Sequence, residues 1–306
     1  MIARARRSLR PAWLFYLFLL PVLLSADTLR IATYNLHNYL QADRVVEGHW
    51  RPDYPKPESE KRALRSTILS VRPHILLVQE IGEIEHLEEL RADLAAGGLH
   101  FPHIAHMQSV EGERHMAVLS RRPFRWVIRH EDLSFKYFDQ RLLVKRGLLE
   151  LAVGYGSGAE DTLLLFALHL KSAYSSNPED PKSVKRRLGE ATACRDRIIA
   201  RTKEAGHERY CIAGDFNDHP NSPVRHRFLR RGELQIGTAV EAIDERGEAW
   251  THHFSKQRLY STLDGFILSP ATQSLLVGGQ GSVVDSHLGV TGSDHRLVYI
   301  DLLVPQ

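Results

Sequence analysis

The sequence has 306 residues, of which 43% are hydrophobic and 25% are charged; these are ordinary values for a globular protein with room for one large domain or two modest ones. The 40 Lys and Arg exceed the 37 Asp and Glu, but four of the arginines lie in the first 26 residues, which leaves 36 against 37 in the rest. The apparent basicity of the chain is therefore no evidence for a nucleic-acid partner.

The first 26 residues have the pattern of a secretory signal peptide. Four arginines between Arg4 and Arg10 precede an apolar run from Trp13 to Leu24, and Ser25-Ala26 follows. Charge, apolar stretch and small residues in that order are typical of such a peptide, and a membrane-spanning helix needs about 20 apolar residues. We expect an exported protein, periplasmic or secreted, with residues 27–306 as the mature chain. An uncleaved membrane anchor is the alternative.

Segments of strand and helix character alternate after this leader. Apolar spacing over Glu58–Val71 predicts an amphipathic helix that Pro73 ends. The other predicted elements are strands at Leu29–Tyr34 and His74–Gln79, a helix at Glu83–Ala95, strands at Met116–Ser120, Phe124–Arg129, Leu148–Tyr155 and Thr162–Leu170, a helix at Ser183–Thr202, and strands at Tyr210–Ala213, Leu263–Leu268 and Leu297–Leu303.

Strands outnumber helices in this pattern, and no repeat or linker divides it. The sequence therefore predicts one domain of the α/β (α+β) class over residues 27–306, with packed mixed sheets flanked by helices. In the last long helix, Ser183 is the expected N-cap, Val184 belongs to the apolar face, and Lys182–Arg187 is read as a solvated basic face.

The two cysteines, Cys194 and Cys211, leave two readings open. An exported protein can hold a disulfide. A position in a predicted helix and in a predicted buried strand fits two small buried thiols equally well.

Polar residues cluster where predicted strands end, and sites are usually built at such positions. The strongest motif is Gly214-Asp215-Phe216-Asn217-Asp218. A carboxylate and an amide two residues apart can point into one pocket there, although Gly, Asp and Asn also form plain turns. Ser293-Asp294-His295 precedes the final strand and sets a carboxylate beside an imidazole, which suits metal binding or proton transfer.

Four further motifs end or begin predicted strands. Glu80 follows an apolar strand, and a carboxylate there suits a hard divalent cation, which takes oxygen ligands. The other three motifs are Thr33-Tyr34-Asn35-Leu36-His37, His169-Leu170-Lys171-Ser172 and Leu263-Asp264-Gly265-Phe266. Each motif is weak alone, whereas their combination in this order is not.

In that order and context, the chain resembles the endonuclease/exonuclease/phosphatase family, also called deoxyribonuclease-I-like, from about residue 28 to residue 304. The matching segments are YNLHN, LLVQE, MAVLSRRP, LHLKS, GDFND, TLDGFILS and GSDHRLV. The resemblance implies a four-layer sandwich, in which two mixed β-sheets pack face to face with helices on the outside. It also implies a phosphoesterase that depends on one or two Mg²⁺ or Mn²⁺ ions.

The resemblance gives each matching residue a role. Glu80 would be the main metal ligand, with Asn35 and Asp294 beside it. Asp215 would orient or activate the attacking water, with Asn217 supporting it. Asp264 would hold His295 for phosphate binding or proton transfer. His169 would contact the phosphate or protonate the leaving group. This inventory suits an anionic ester, because a divalent ion neutralises charge and fixed donors stabilise the phosphate oxygens.

One departure from the family pattern and some weaker candidates complete the set. His37 stands where several relatives carry an acid; it is a candidate metal or substrate contact and favours Mn²⁺ or Zn²⁺ over Mg²⁺. Segments Val45–Pro57 and Tyr174–Lys182 are expected loops that set substrate choice. The weaker candidates for substrate or phosphate contact are Arg146, Lys171 and Trp250; a stacking role for Trp250 competes with simple packing. His252-His253 lacks metal-ligand spacing and is expected at the surface.

The leading prediction is an exported, metal-dependent nuclease or phosphodiesterase, with a phosphate ester as substrate and nucleic acid as one candidate. A phosphatase or a sphingomyelinase-like phosphodiesterase would use the same residues, and the near-neutral charge weakens the nucleic-acid case. A non-catalytic binding module is a third reading, which the retained acids and histidines oppose. We expect a monomer without a stable protein partner, and membrane contact only if the leader is not cleaved.

Overall fold

The computed structural model describes residues 27–304, apart from residues 111, 157, 159–160 and 286–291; the predicted signal peptide lies outside these residues. The first elements are β1 (Thr28–Tyr39), β2 (Ala42–Val46), β3 (His49–Tyr54), α1 (Glu58–Val71), β4 (Ile75–Ile81), α2 (Ile84–Ala96), β5 (His103–Met107), β6 (His115–Ser120), β7 (Phe124–His130), β8 (Ser134–Tyr137), β9 (Gln140–Leu143) and β10 (Leu148–Gly154).

The remaining elements are β11 (Thr162–His169), α3 (Val184–Ala205), β12 (Tyr210–Asp215), α4 (Pro223–His226), β13 (Arg230–Arg231), β14 (Leu234–Gln235), β15 (Thr238–Ala239), β16 (Ala242–Ile243), β17 (His252–Phe254), β18 (Leu259–Ser261), β19 (Asp264–Leu268), α5 (Pro270–Gln273), β20 (Gly281–Val283) and β21 (Val298–Leu303), with 3₁₀ turns at Ser255–Gln257 and Val277–Gly279.

Two large mixed sheets form the body of the protein. The first has the strand order β16-β20-β21-β1-β4-β6-β5, and the second has the order β15-β19-β12-β11-β10-β7. In the first sheet β1 runs parallel to β4 and antiparallel to β21. In the second, β11 runs parallel to β12 and antiparallel to β10.

The hydrophobic core has three layers, because both faces of each sheet are covered. Side chains such as Ile31 and Leu151 pack between the sheets. Ala32, the next residue on β1, packs on the other side against Leu64 of α1, as the alternation of side chains along a strand requires. The far face of the second sheet packs against Ile198 of α3 and its neighbours. The predicted two-sheet sandwich with outer helices is confirmed.

A buried carboxylate ties α3 to the second sheet. Glu150 on β10 accepts hydrogen bonds from Trp126 Nε1 and His130 Nε2, both at 2.9 Å, and from Arg201 of α3 at 2.8 and 2.9 Å. Burial opposes its charge, but the hydrogen bonds from His130, Arg201 and Trp126 outweigh it and lower the pKa of Glu150 to about 2. Glu150 is therefore a buried, ionised carboxylate with its hydrogen bonds satisfied, and it holds α3 against the second sheet.

The predictions for the start of α3 were wrong in three details. The Ser183 side chain does not cap the helix: its φ is +52° and its Oγ donates to Tyr174 O. Asp180 takes over, accepting from the backbone N–H of Lys185 and Arg186 at 3.1 and 3.0 Å. Val184 is exposed. The basic face is also not wholly solvated, because Arg187 is buried and pairs with Asp218 at 2.9 Å.

Two other expectations are settled by the packing. Cys194 and Cys211 are both free and buried. Cys194 lies on α3 and packs between that helix and the second sheet, whereas Cys211 faces the inter-sheet core, so the second sheet separates them. The segment Val45–Pro57 is not simply a loop, because it carries most of the β2–β3 hairpin.

Within the described part of the chain, no helix is long and apolar enough to cross a membrane.

Candidate active site

Three neighbouring strands of the second sheet place polar side chains in one row. The strand register pairs His169 of β11 with Asp215 of β12, and Asp215 with Asp264 of β19. Gly214 allows this close pairing: its φ is +141°, and a Cβ there would lie 1.9 Å from Leu168 O. The row follows directly from the register of the three strands.

The first sheet contributes an opposing set of side chains. Asn35 on β1 pairs with Gln79 on β4, and both strands lose their regular register immediately afterwards. At that irregularity Glu80 adopts a φ of +58°, a conformation that is costly for a residue with a side chain and that clusters at functional sites. Glu80 Oε2 accepts a hydrogen bond from the Asn38 N–H at 3.0 Å, and Oε1 lies 4.0 Å from His169 Nε2.

Asp215 is the centre of the site. Its carboxylate accepts hydrogen bonds from Asn35 Nδ2 at 3.1 Å, from the Asn217 N–H at 2.7 Å and from Asn217 Nδ2 at 3.1 Å. Burial and the neighbouring charge of Asp264 raise the pKa of Asp215 to about 6. The carboxylate is fixed in position and still ionised at neutral pH.

The structure brings Asp264 and His295 into direct contact. Asp264 Oδ2 accepts hydrogen bonds from His295 Nδ1 and from Thr251 Oγ1, both at 2.7 Å. Burial opposes the charge on His295, but the charges of Asp264 and Asp215 outweigh it and raise the pKa of the imidazole to about 10. His295 Nε2 lies 3.9 Å from Asp215 Oδ2, so a charged donor faces the row.

His169 is the second imidazole of the row and has the opposite charge state. Its Nε2 lies 3.5 Å from Asp215 Oδ2. Burial, together with the positive charges of Arg146 and His295, lowers the pKa of His169 well below its usual value. Its Nδ1 is buried and has no hydrogen-bond partner among the described residues. Asp215 thus lies between a neutral and a charged imidazole.

Asp294 lies beside the row, between two more histidines. His37 Nδ1 is 3.8 Å from Asp294 Oδ1, and His252 Nε2 is 3.8 Å from Asp294 Oδ2. Although burial opposes its ionisation, the imidazoles of His252, His295 and His37 lower the pKa of Asp294. His252, Asp294 and His295 are close enough together to share one metal ion.

The expectation that His252 is an unrelated surface residue was therefore wrong. The backbone bridge from His252 to His295 sets their rings 4.6 Å apart. No sequence signal marks this contact, because it depends on the pairing of segments that are distant along the chain. Asp294 and the two flanking imidazoles form a mixed oxygen and nitrogen donor set.

The donors on the first-sheet side fit a divalent cation. Glu80 and Asn35 offer oxygen atoms, as Mg²⁺ and Mn²⁺ prefer, and Asp294 adds a carboxylate. The imidazoles of His37 and His252 suit Mn²⁺ or Zn²⁺ better than Mg²⁺. The residues present are therefore compatible with a divalent ion, and the imidazoles beside Asp294 favour Mn²⁺ or Zn²⁺ over Mg²⁺ there.

Arg225 was missed by the sequence analysis. It is buried in the short helix α4, lies 4.0 Å from the centre of the Phe216 ring and donates to Leu263 O at 3.4 Å. Burial lowers its pKa to about 10, while the charges of Asp264 and Asp215 act in the opposite direction. Arg225 is a fixed positive charge that offsets these two carboxylates, and no motif points to it.

The three weaker candidates occupy different environments. Arg146 is buried and donates to Leu170 O at 3.1 Å. Lys171 is also buried, beside the row. The ring of Trp250 is covered by the Arg296 guanidinium at 4.2 Å and by the edge of Tyr260 at 4.9 Å. These contacts show a packing role for Trp250.

Solved structures with the same fold span nearly the whole chain. An endonuclease/exonuclease/phosphatase from Bacteroides vulgatus has a TM-score of 0.63 at 14% identity, over 91% of this chain and 100% of that one. Sphingomyelinase C from Streptomyces griseocarneus has a TM-score of 0.62 at 13% identity, over 90% and 99%. The human Nocturnin catalytic domain with bound sulfate anion has a TM-score of 0.60 at 15% identity, over 92% and 98%. At such identities the likeness shows the fold alone.

Sequence comparison gives the family. No curated protein matches the chain. A family model described as "Endonuclease/Exonuclease/phosphatase family" matches residues 32–295, a span that includes every side chain of the row and the residues facing it. The protein belongs to the endonuclease/exonuclease/phosphatase family, a family of phosphoesterases.

Proposed function

We propose that the protein is an exported, divalent-metal-dependent phosphodiesterase that cleaves its substrate by direct attack of water. The observation that carries the proposal is the arrangement around Asp215, a carboxylate held by three hydrogen bonds between a neutral and a charged imidazole. Such a constellation orients a water, donates to a phosphate oxygen and handles a proton without a covalent intermediate.

Asp215 is the group that would orient and activate the attacking water. Asn35 and Asn217 fix its two oxygens. A pKa of about 6 leaves the carboxylate ionised at neutral pH, and a general base is most effective when its pKa is near the working pH.

The two histidines have complementary tasks. His295, held by Asp264 in its charged form, would donate from Nε2 to a phosphate oxygen as negative charge develops. His169 is neutral and buried, with Nε2 directed toward Asp215 and Glu80. That position suits a hydrogen bond to a phosphate oxygen, whereas a neutral imidazole with a lowered pKa is a poor proton donor to the leaving oxygen.

The metal would be held by Glu80, Asn35 and Asp294, with His37 and His252 as additional donors beside Asp294. A divalent ion bound there would neutralise the phosphate charge and stabilise the oxygens of the displacement. The nitrogen donors support Mn²⁺ over Mg²⁺ at this site.

A substrate panel tests the proposed activity on the metal-stripped protein after addition of Mg²⁺ or Mn²⁺. The panel contains bis-(p-nitrophenyl) phosphate, supercoiled plasmid, single-stranded DNA, RNA, inositol phosphates and sphingomyelin. We expect metal-dependent turnover of the diesters, lost in Asp215→Asn and retained in Asp196→Asn, which removes a half-buried carboxylate of α3 that pairs with Arg195. Turnover that persists in Asp215→Asn, or no turnover of any diester with either metal, would overturn the proposal.

Export is proposed on the sequence pattern of residues 1–26 alone. The arginine cluster, the apolar run and Ser25-Ala26 have the order of a cleavable signal peptide. The catalytic proposal does not depend on it.

A further inference from the structure

A cavity of about 380 Å³ lies beside the catalytic row, between β9, the loop after β11 and the start of α3. Three cationic side chains line it: Lys145, Lys171 and Arg186. Hydroxyl and amide groups complete much of the wall, among them those of Tyr137, Ser175, Ser176 and Asn177. Within the described part of the chain, no Asp or Glu lines this cavity. Its chemistry is that of an anion site.

Lys171 is a buried cation whose nearest acceptors are uncharged. Its Nζ donates to Ser172 O at 3.1 Å, to Ser172 Oγ at 3.3 Å and to Tyr174 O. Burial and the positive charges of Lys145, Arg146 and Arg186 lower the pKa of Lys171 to about 8, and the charge of Glu190 opposes this only in part. A buried charge without a counter-ion is unfavourable, so an anion in the cavity would remove part of this cost.

Arg186, on the same wall, has a side-chain donor that makes no hydrogen bond. Its Nε is buried and has no hydrogen-bond partner among the described residues. The nearby carboxylate oxygen Glu190 Oε1 is 3.7 Å away, which is too far for a hydrogen bond. A buried donor left unsatisfied points to a missing acceptor.

The two acids nearest the cavity are already engaged by the backbone. Glu190 accepts from the N–H groups of Lys145 at 3.2 Å and Lys171 at 2.8 Å, which draws these two lysines together. Asp180 accepts from the first N–H groups of α3 and from Tyr137 Oη at 3.2 Å. Neither carboxylate lines the cavity, so the charge of Glu190 near Arg186 and Lys171 offsets only part of the charge of the three cations.

The cavity is within reach of the reacting phosphate. Lys171 follows His169 by two residues, about 7 Å at the rise of extended chain. The Leu170 carbonyl between them accepts from Asn217 Nδ2 at 2.9 Å and from Arg146 at 3.1 Å, which links the row to the cavity wall. An anionic group one linkage away from the scissile phosphate could therefore occupy the cavity.

We propose that this cavity binds a second phosphate group of the substrate, so that the enzyme prefers esters carrying a further phosphate over esters with a single one. The inference rests on the proposed phosphodiesterase function and narrows its substrate class. It also gives the segment Tyr174–Lys182 a physical part in substrate choice, because this loop forms one wall of the cavity.

A matched pair of chromogenic substrates tests the proposal on the unaltered protein. The p-nitrophenyl ester of thymidine 5′-phosphate is compared with the same ester carrying an additional 3′-phosphate. We expect kcat/KM to be at least about tenfold higher with the second phosphate, since one charge-assisted hydrogen bond is worth about that factor. A ratio near one overturns the inference while leaving the proposed function intact. Failure to hydrolyse even bis-(p-nitrophenyl) phosphate overturns the function itself.

A second pair identifies where the phosphate comes from. Thymidine dinucleotide with one phosphodiester is compared with the trinucleotide, which adds a backbone phosphate instead of a terminal one. A gain with the trinucleotide assigns the cavity to the next phosphate of a nucleic-acid strand. A gain confined to the 3′-phosphate assigns it to a terminal phosphate of a small substrate, and a gain with neither contradicts the proposal.

Charge-removing variants locate the effect in the cavity. Lys145→Gln and Arg186→Gln should each reduce the ratio of kcat/KM between the two chromogenic substrates by about tenfold. Lys182→Gln removes an exposed charge beside the same loop but outside the cavity, and should keep the wild-type ratio. Thermal melting confirms that each variant is folded. A wild-type ratio in both cavity variants would place the second phosphate elsewhere.

Discussion

The contact between Asp264 and His295 predicts that the two residues act as one unit. The bond is 2.7 Å long and buried, and Asp264 is the strongest of the charges that raise the pKa of His295. Asp264→Asn removes that charge, which at such distances is worth roughly 1–3 pKa units, and it releases the ring orientation. We expect a loss of about 10²-fold in turnover, and a similar loss for His295→Ala.

The decisive measurement is turnover of bis-(p-nitrophenyl) phosphate by four proteins: the wild type, the two single variants and the double variant. Groups that act as a unit are strongly non-additive, so the double variant should be little worse than the worse single. His253→Ala is the matched control, because this histidine stacks on Tyr260 outside the row and should keep full turnover. If the two losses multiply in the double variant, or if Asp264→Asn lowers the melting temperature without changing turnover, the dyad is refuted.

The remaining predictions concern the metal, the leader and the anchor of α3. Chelation should abolish turnover, and Glu80→Ala should weaken the binding of Mn²⁺ measured by calorimetry. His37→Asp should shift the metal preference of turnover toward Mg²⁺. An unchanged preference would show that His37 lies away from the ion. N-terminal sequencing of the exported protein should find Asp27 first, and a membrane-held chain starting at Met1 would show an anchor instead. Glu150→Gln should lower the free energy of unfolding by about 3 kcal/mol at neutral pH. Since the pKa of Glu150 is lowered in the fold, this difference should shrink as pH falls from about 4.5 toward 2, and a pH-independent difference in denaturant melts would contradict the ionic role.

Much of the site could be predicted because each motif ends or begins a strand. The apolar run before Glu80 and the run before Asp215 both have strand length, so the polar residue after each run was expected at the end of a buried strand. Helix α1 matched its predicted bounds, Glu58–Val71, because apolar periodicity and a following proline agree there. These are local signals, readable from a few neighbouring residues.

The rest depends on contacts that no local pattern contains. β1 was expected to end at Tyr34 but continues to Tyr39, since His37 and Asn38 take positive φ angles and carry the strand through an irregularity. Arg225 lies near the site because its guanidinium packs against the Phe216 ring. His252 lies there because a single backbone β-bridge pairs it with His295. In each case the residue type is common, and only the tertiary pairing makes it part of the site.

Neither sheet could build the site alone, which explains why every motif was weak by itself. Asn35 belongs to the first sheet and Asp215 to the second, and their hydrogen bond joins residues 180 positions apart. Ser293 Oγ donates to Asn35 O across 258 positions, which fixes the segment carrying His295 against β1. The reacting groups are therefore held in place by the packing between the sheets. Each motif supplies one or two side chains, and only the sandwich as a whole brings side chains of different motifs within 4.0 Å of one another, so their ordered co-occurrence was the informative signal.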